Sequence, residues 1–152
     1  MARSDMLYTK TTRLAMSICY EAHAEQLDKA GVPYVFHPIH LAEQMHDEHS
    51  TCVALLHDVM EDTDMTPDDL VRAGIPEAYV ETLKLLTHEP GTPYLDYVQR
   101  LEPDPVARRV KAADIRHNMD LTRLDHEPTK RDLSRVTRYR KALAILEGTD
   151  DL

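Results

Sequence analysis

No apolar run in this chain approaches the roughly 18 residues that a membrane-spanning helix requires. The start, MARSDMLYTKTT, holds no hydrophobic stretch of the signal-peptide kind, so the expected compartment is the cytoplasm. Cysteine is scarce. Cys19 and Cys52 form no CxxC or other ligand spacing and fall in apolar-patterned segments, which reads as two buried free thiols in a reducing environment. Glycine is scarce too, at four residues, and no repeat, low-complexity tract or linker interrupts the 152 residues. With 42% apolar and 30% charged residues, disorder is disfavoured and one domain, 1–152, with a real core is expected. Positive charge is in deficit. A net charge of −9 repels nucleic-acid phosphates, so a polymeric DNA or RNA partner is not expected without a concentrated basic patch.

Several catalytic signatures are missing as well. There is no GxxxxGK[ST], no GxGxxG, no HExxH and no GxSxG, which removes P-loop, dinucleotide-binding, zincin and nucleophile-elbow chemistry. DTDMTPDD has the acids of a calcium loop, but Pro67 stands where such a loop wants glycine. Alternating β-branched runs are absent, which argues against a sheet.

What remains is helical. Thr9 or Thr11 opens a first helix carrying Leu14, Ile18, Cys19 and Ala22, expected to end near Ala30-Gly31. Pro38 suits the first turn of a second helix, PIHLAEQMHDE. Ser50 is the expected N-cap of a third, TCVALLHDVMED, whose centre is apolar all round and should be buried. Thr66, Pro67, Asp69 and Gly74 bracket a fourth. PEAYVETLKLLTH, PYLDYVQRLE, the segment after Asp104-Pro105 and Thr129–Glu147 complete an all-α bundle of about seven to eight helices.

The stretch ALLHDVMEDTD raises the chemical question. His57 and Glu61 are spaced i,i+4, Asp58 and Glu61 i,i+3, and Asp58 and Asp62 i,i+4, so a continuous helix would group all four at one end. One reading is a helix terminus emerging into water with solvated acids. Against it, carboxylates meet the negative end of the helix dipole there. The apolar run Val53 to Leu56 also desolvates His57 and Asp58, and an unpaired buried carboxylate is costly. A divalent cation, which takes anionic oxygen together with neutral imidazole nitrogen, resolves the conflict. His37, before Pro38, is a further candidate, although a helix-capping histidine is the plainer reading of it alone. Lys111, Asp114 and Asn118 form one stripe of a later helix, which by itself reads as a solvated face.

Together the set H…HD…ED…D resembles the HD-domain metal phosphohydrolases. It is most similar to the alarmone hydrolases, meaning the hydrolase half of RelA/SpoT enzymes and the free-standing small (p)ppGpp hydrolases of the stringent response. The resemblance runs from about Leu14 to about Tyr139 and rests on AHAEQLDK, PYVFHPIHLA, ALLHDVMEDTD, LLTHE and VKAADIRHN. It implies a metal held by His37, His57, Asp58 and Asp114. In such enzymes this is most often Mn²⁺, and Fe²⁺, Co²⁺, Ni²⁺ or Zn²⁺ fit the same donors. It implies Glu61 and Asp62 as the pair that positions and deprotonates the attacking water, and Lys29, Asn118 and Tyr139 as nucleotide contacts. Lys111 stays open between a role in the site and a partner to a carboxylate.

The expected reaction is hydrolysis of the 3′-diphosphate of ppGpp or pppGpp, giving GDP or GTP and pyrophosphate. One departure stands out. Relatives usually carry Arg-Lys in HxxQxRK, where the arginine faces guanine, whereas this chain has Asp28-Lys29. Asp28 is therefore a candidate substrate contact, able to pair with the guanine N1–H and N2–H₂ edge but unable to stack. It keeps two alternatives open: a related hydrolase of another nucleotide, such as a nucleoside monophosphate or NADPH, and a non-catalytic nucleotide-binding module. The last helix carries Lys130, Arg131, Arg135, Arg138, Arg140 and Lys141. Most are expected to be a solvated face, with Arg135 and Arg138 the ones beside Tyr139. Ending at Leu152, the chain has no room for the synthetase domain of the bifunctional enzymes, so alarmone synthesis by that route is not expected.

Overall fold

The computed structural model describes residues 6–148, so the extreme start of the chain, which lacks a signal-like stretch, lies partly outside the described residues. Among them are nine α-helices, one short 3₁₀ turn and no strand. The helices are α1 (Lys10–Ala22), α2 (Phe36–Glu43), α3 (Glu48–Leu56), α4 (Val59–Asp62), α5 (Pro67–Ala73), α6 (Glu77–Leu86), α7 (Tyr94–Leu101), α8 (Pro105–Met119) and α9 (Lys130–Glu147). The all-α expectation holds. No described helix is long and apolar enough to cross a membrane.

Helix α3 is the hub. Seven of its nine residues are buried, and it packs against α1, α2, α6 and α8. Its own Leu55 and Leu56 join Leu41, Leu83, Leu101, Ile115 and Leu146 in a continuous apolar core. Cys19 and Cys52 lie in that core as free thiols. Burial pushes both up to about 12, so both stay neutral and unreactive. Helices α8 and α9 pack together, and α7 lies against α9.

Local chemistry moves three boundaries. Helix α1 starts where expected, with a Thr9–Thr12 capping box, but ends at Ala22. Beyond it Asp28 Oδ1 accepts the N–H groups of Ala30 and Val32 (2.8 and 3.0 Å), and Gly31 turns at φ +81°. A side chain that captures nearby backbone donors favours a turn over a helix, so the segment after the His23 cap does not resume the helix. Helix α3 starts earlier than expected, because the Asp47 side chain takes the N–H of Ser50 at 2.7 Å and so becomes the N-cap. The third shift concerns the continuous helix expected through Ser50–Asp62. It breaks at His57-Asp58, and a separate short turn, α4, carries Glu61 and Asp62. That break raises the helix count above the seven or eight expected and removes the simple i,i+4 geometry. The Thr66–Asp69 box, Pro67 at the first turn and Gly74 at φ +115° stand as anticipated.

Candidate functional site

Three helical segments bring their polar side chains to one place in the core: His37 from the first turn of α2, His57 and Asp58 from the α3–α4 break, and Asp114 from the middle of α8. His37, His57 and Asp114 are buried. Ligand atoms of His37, His57 and Asp58 all lie within 4.8 Å of one another. Asp114 Oδ1 lies 2.9 Å from His37 Nε2 and 3.7 Å from His57 Nε2.

The hydrogen bonds fix which atoms carry protons. His57 Nδ1 lies 2.7 Å from the carbonyl of Ala54, which can only accept, so Nδ1 holds the proton. The lone pair on Nε2, buried and without a hydrogen-bond partner, then faces Asp58 Oδ2 at 3.0 Å. An acceptor set against a carboxylate oxygen is repulsive unless a cation or a proton lies between them. His37 shows the same logic. Its Nδ1 meets His117 Nδ1 at 2.6 Å with the rings stacked, so one nitrogen must donate. Burial, helped by Arg123, His37 and His40, pushes His117 down to about 4. A neutral His117 can accept from His37 Nδ1–H, which leaves His37 Nε2 as a lone pair toward Asp114.

The carboxylates tell the same story. Burial, with Asp114 and Asp62 adding to it, raises Asp58 to about 8. Tyr34 donates its hydroxyl to Asp58 Oδ2. Burial also works against the Asp114 anion, but Lys111 and the two histidines outweigh it and hold Asp114 well below the usual range. Lys111 donates to Asp114 Oδ2 at 2.9 Å and Asn118 to Oδ1 at 3.0 Å. The stripe that reads as a solvated face in sequence thus supports one buried carboxylate, from half-buried Lys111 on one side and exposed Asn118 on the other, and Lys111 is that carboxylate's partner. Two imidazoles and two carboxylates, each held by a further bond, fit a divalent transition metal.

Glu61 joins this cluster. It lines a cavity of about 120 Å³ with His57, Asp58, Lys111, Asp114 and His88, and its Oε1 accepts the His88 N–H at 2.8 Å. Asp62 faces the other way, accepting from Gln26 Nε2 at 3.1 Å and lying 4.0 Å from His23. A second cavity of about 350 Å³ opens beside the cluster. Its lining includes Asp28, Lys29, Asn118 and Tyr139, together with Tyr34, Arg123 and Arg135. Tyr34 and Asn118 thus touch both the histidine–carboxylate cluster and this cavity. Burial and the nearby Arg135 and Arg131 lower the Lys29 pKa, which marks a spot where cations crowd and an anion is welcome. Arg138 lies one cavity further out, with Arg131 and Arg135, its guanidinium 5.0 Å from the Tyr94 ring. Asp28 is not a free carboxylate. One oxygen organises its own turn and the other pairs with Arg123 at 3.2 Å.

No family model matches the chain. A guanosine-3′,5′-bis(diphosphate) 3′-pyrophosphohydrolase of Aquifex aeolicus is 40% identical over 60 residues, 37% of this chain. The bifunctional (p)ppGpp synthase/hydrolase SpoT of Escherichia coli is 40% identical over 65 residues, 40% of this chain. The chain spans only 9% of the length of each of these curated relatives. A solved structure described as a metazoan ortholog of SpoT that hydrolyzes ppGpp superposes with a TM-score of 0.73. It is 21% identical, and the match covers 95% of this chain and 89% of that one. The chain is a relative of the SpoT-type HD domains.

In this HD domain the sequence reading missed Tyr34, His88, His117 and Arg123. Tyr34 and His117 sit inside the quoted motifs PYVFHP and DIRHN, each within three residues of a candidate ligand. That proximity was the available signal. His88 likewise sits inside the quoted LLTHE, whereas Arg123 left no signal, because its partner Asp28 lies 95 positions away.

Proposed function

We propose that this chain is a metal-dependent phosphohydrolase that removes the 3′-diphosphate of (p)ppGpp. The observation that carries the reading is the Nε2 lone pair of His57 set between Asp58 and Asp114, at 3.0 and 3.7 Å, beside a cavity that gathers Lys29, Arg123 and Arg135. His37, His57, Asp58 and Asp114 would hold the ion. Mn²⁺ is the metal proposed, with Fe²⁺, Co²⁺, Ni²⁺ and Zn²⁺ suited to the same donors. A bound divalent ion supplies a lowered water pKa and polarises a phosphoryl oxygen.

The chain's own groups do the rest. Glu61, fixed by the His88 N–H, takes the proton of the attacking water. Asp62, held by Gln26, is the second acid of the pair. Lys29 and Arg135 meet the phosphate charge, while Asn118 and Tyr139 border the nucleoside. The water oxygen bonds to the phosphorus next to the ribose 3′-oxygen, that P–O bond breaks, and the 3′-oxygen takes up a proton. Pyrophosphate and GDP or GTP leave. A small nucleotide as the partner fits a cytoplasmic protein, and that compartment belongs to the same proposal.

The test is product release from a panel of ppGpp, nucleoside monophosphates and NADPH, with and without Mn²⁺. Pyrophosphate from ppGpp, lost on chelation and restored by metal, is expected. Glu61→Gln should keep its metal and lose about 10²-fold or more in turnover. Orthophosphate from another nucleotide, or no product at all, refutes the alarmone reading.

A further inference from the structure

We propose that Arg123, braced by Asp28, is the group that recognises the base of the bound nucleotide; this rests on the hydrolase reading above. Arg123 closes the 3₁₀ turn Leu121–Arg123 after α8, and its side chain crosses to the loop between α1 and α2. There Nη1 donates to the His117 carbonyl at 2.8 Å and Nη2 to Asp28 Oδ2 at 3.2 Å. Asp28 is itself pinned, since its other oxygen accepts the N–H groups of Ala30 and Val32. The guanidinium plane is therefore fixed from two sides before any ligand arrives. The pair is partly buried, and the net worth of such a pair to the fold is small once desolvation is counted. This one spans 95 positions and lines the larger cavity with both partners, so its consequence is for what enters the cavity.

The cavity's polarity says which part of a nucleotide it meets. Tyr34 and Asn118 mark the metal end, through Asp58 and Asp114. Lys29 and Arg135 mark a cationic end that continues toward Arg131 and Arg138. Arg123 differs from Lys29 in that its charge is balanced by Asp28, and from Arg135, which pairs with Asp132 within its own helix, in that its guanidinium is also tied to the His117 carbonyl and bridges to a distant loop. That makes it a poor phosphate group and a good neutral-ring group, with a flat face for stacking and N–H donors for an acceptor edge. Leu27 and Leu124 line the same cavity, and Leu27 is 62% exposed, a surface that a base would cover. A purine with two acceptors on its edge, O6 and N7 of guanine, suits arginine, whereas adenine offers an amino donor there. The arginine absent from position 28 is thus replaced by one delivered from position 123, with Asp28 as its positioning residue.

The experiment compares guanosine and adenosine 3′,5′-bis(diphosphates) as substrates and, separately, GDP and ADP as ligands by calorimetry. It uses the full chain loaded with metal, as wild type, Arg123→Met, Asp28→Asn and the exchange Asp28→Arg with Arg123→Asp. Arg123→Met should lower the guanine-over-adenine ratio about 10-fold or more. Asp28→Asn should lower it less, and the exchange should restore part of it. Metal content reports whether each variant folds. An unchanged ratio in folded Arg123→Met, an equal loss on both bases, or no guanine preference in the wild type overturns the inference. If the wild type turns over neither substrate yet binds GDP over ADP through Arg123, the hydrolase reading fails and the base contact stands.

Discussion

The proposed metal cluster and the proposed nucleotide cavity meet at Tyr34 and Asn118, and they are built differently. The cluster's donors come from helices and helix ends inside the core, and each has a second bond that sets its orientation: Ala54 for His57, His117 for His37, Tyr34 for Asp58, Lys111 and Asn118 for Asp114. The cavity draws on the α1–α2 loop, the turn after α8 and one face of α9. Its charged groups are partly exposed and balanced in local pairs, Arg123 with Asp28 and Arg135 with Asp132. A cation tolerates little error in donor distance, so its site is held by packing. A nucleotide makes many weaker contacts, and these can be set by loops.

Removing a donor tests the first half of that contrast most severely. His57→Ala should lose bound metal and all metal-dependent turnover. Arg135→Ala should keep full metal content and show its defect in KM. Elemental analysis with steady-state kinetics separates them, and a metal-replete, active His57→Ala protein would break the comparison. A smaller effect is expected where the regions meet. Tyr34→Phe removes the hydroxyl that supports the Asp58 anion, and orienting groups of this kind are worth about 10–100-fold in metal affinity or activity.

The proton competes for the same oxygen. In the metal-free protein burial and the neighbouring Asp114 raise Asp58 to about 8, so below that pH a cation must displace a proton. Metal affinity should fall about tenfold for each unit below 8 through this group and level off above it. Competition titrations between pH 6 and 9 read that slope, and Asp58→Asn should flatten it. A flat profile in the wild type would mean that Asp58 is ionised without metal.

The two regions also differ in how far sequence alone reveals them. Val53 to Leu56 predict a buried helix and therefore a desolvated His57-Asp58, because helical periodicity reports burial directly. The α3–α4 break was not legible, since LLHDVMED holds no glycine or proline to mark it; the turn follows from how the chain packs around the cluster. Lys111 and Asn118 carry the right spacing, but only the neighbouring helices show that Asp114 between them is buried and that both side chains turn to it. The cavity is hidden for a different reason. Asp28 and Arg123 are joined by tertiary structure, and no local pattern reports a partner 95 positions away. Asp28 shapes a local side-chain turn in the loop after α1, which the alternation of apolar residues does not register.

The smallest effect lies at the start of α9. Thr129 Oγ1 accepts the Asp132 N–H at 3.1 Å, and Asp132 Oδ2 accepts the Thr129 N–H at 2.9 Å. The same carboxylate pairs with Arg135, so this helix cap also places a cation of the cavity. Thr129→Ala should cost about 1 kcal/mol of stability, the usual worth of such a cap, read as a thermal midpoint lowered by about 2–4 °C. It should raise KM modestly, because Arg135 loses part of its anchor, while metal content stays at the wild-type level. The proposed metal donors lie on α2, at the α3–α4 break and on α8, none on α9. A loss of metal on loosening this one turn would therefore mean that the two regions are a single cooperative unit rather than a rigid centre beside an adaptable cavity.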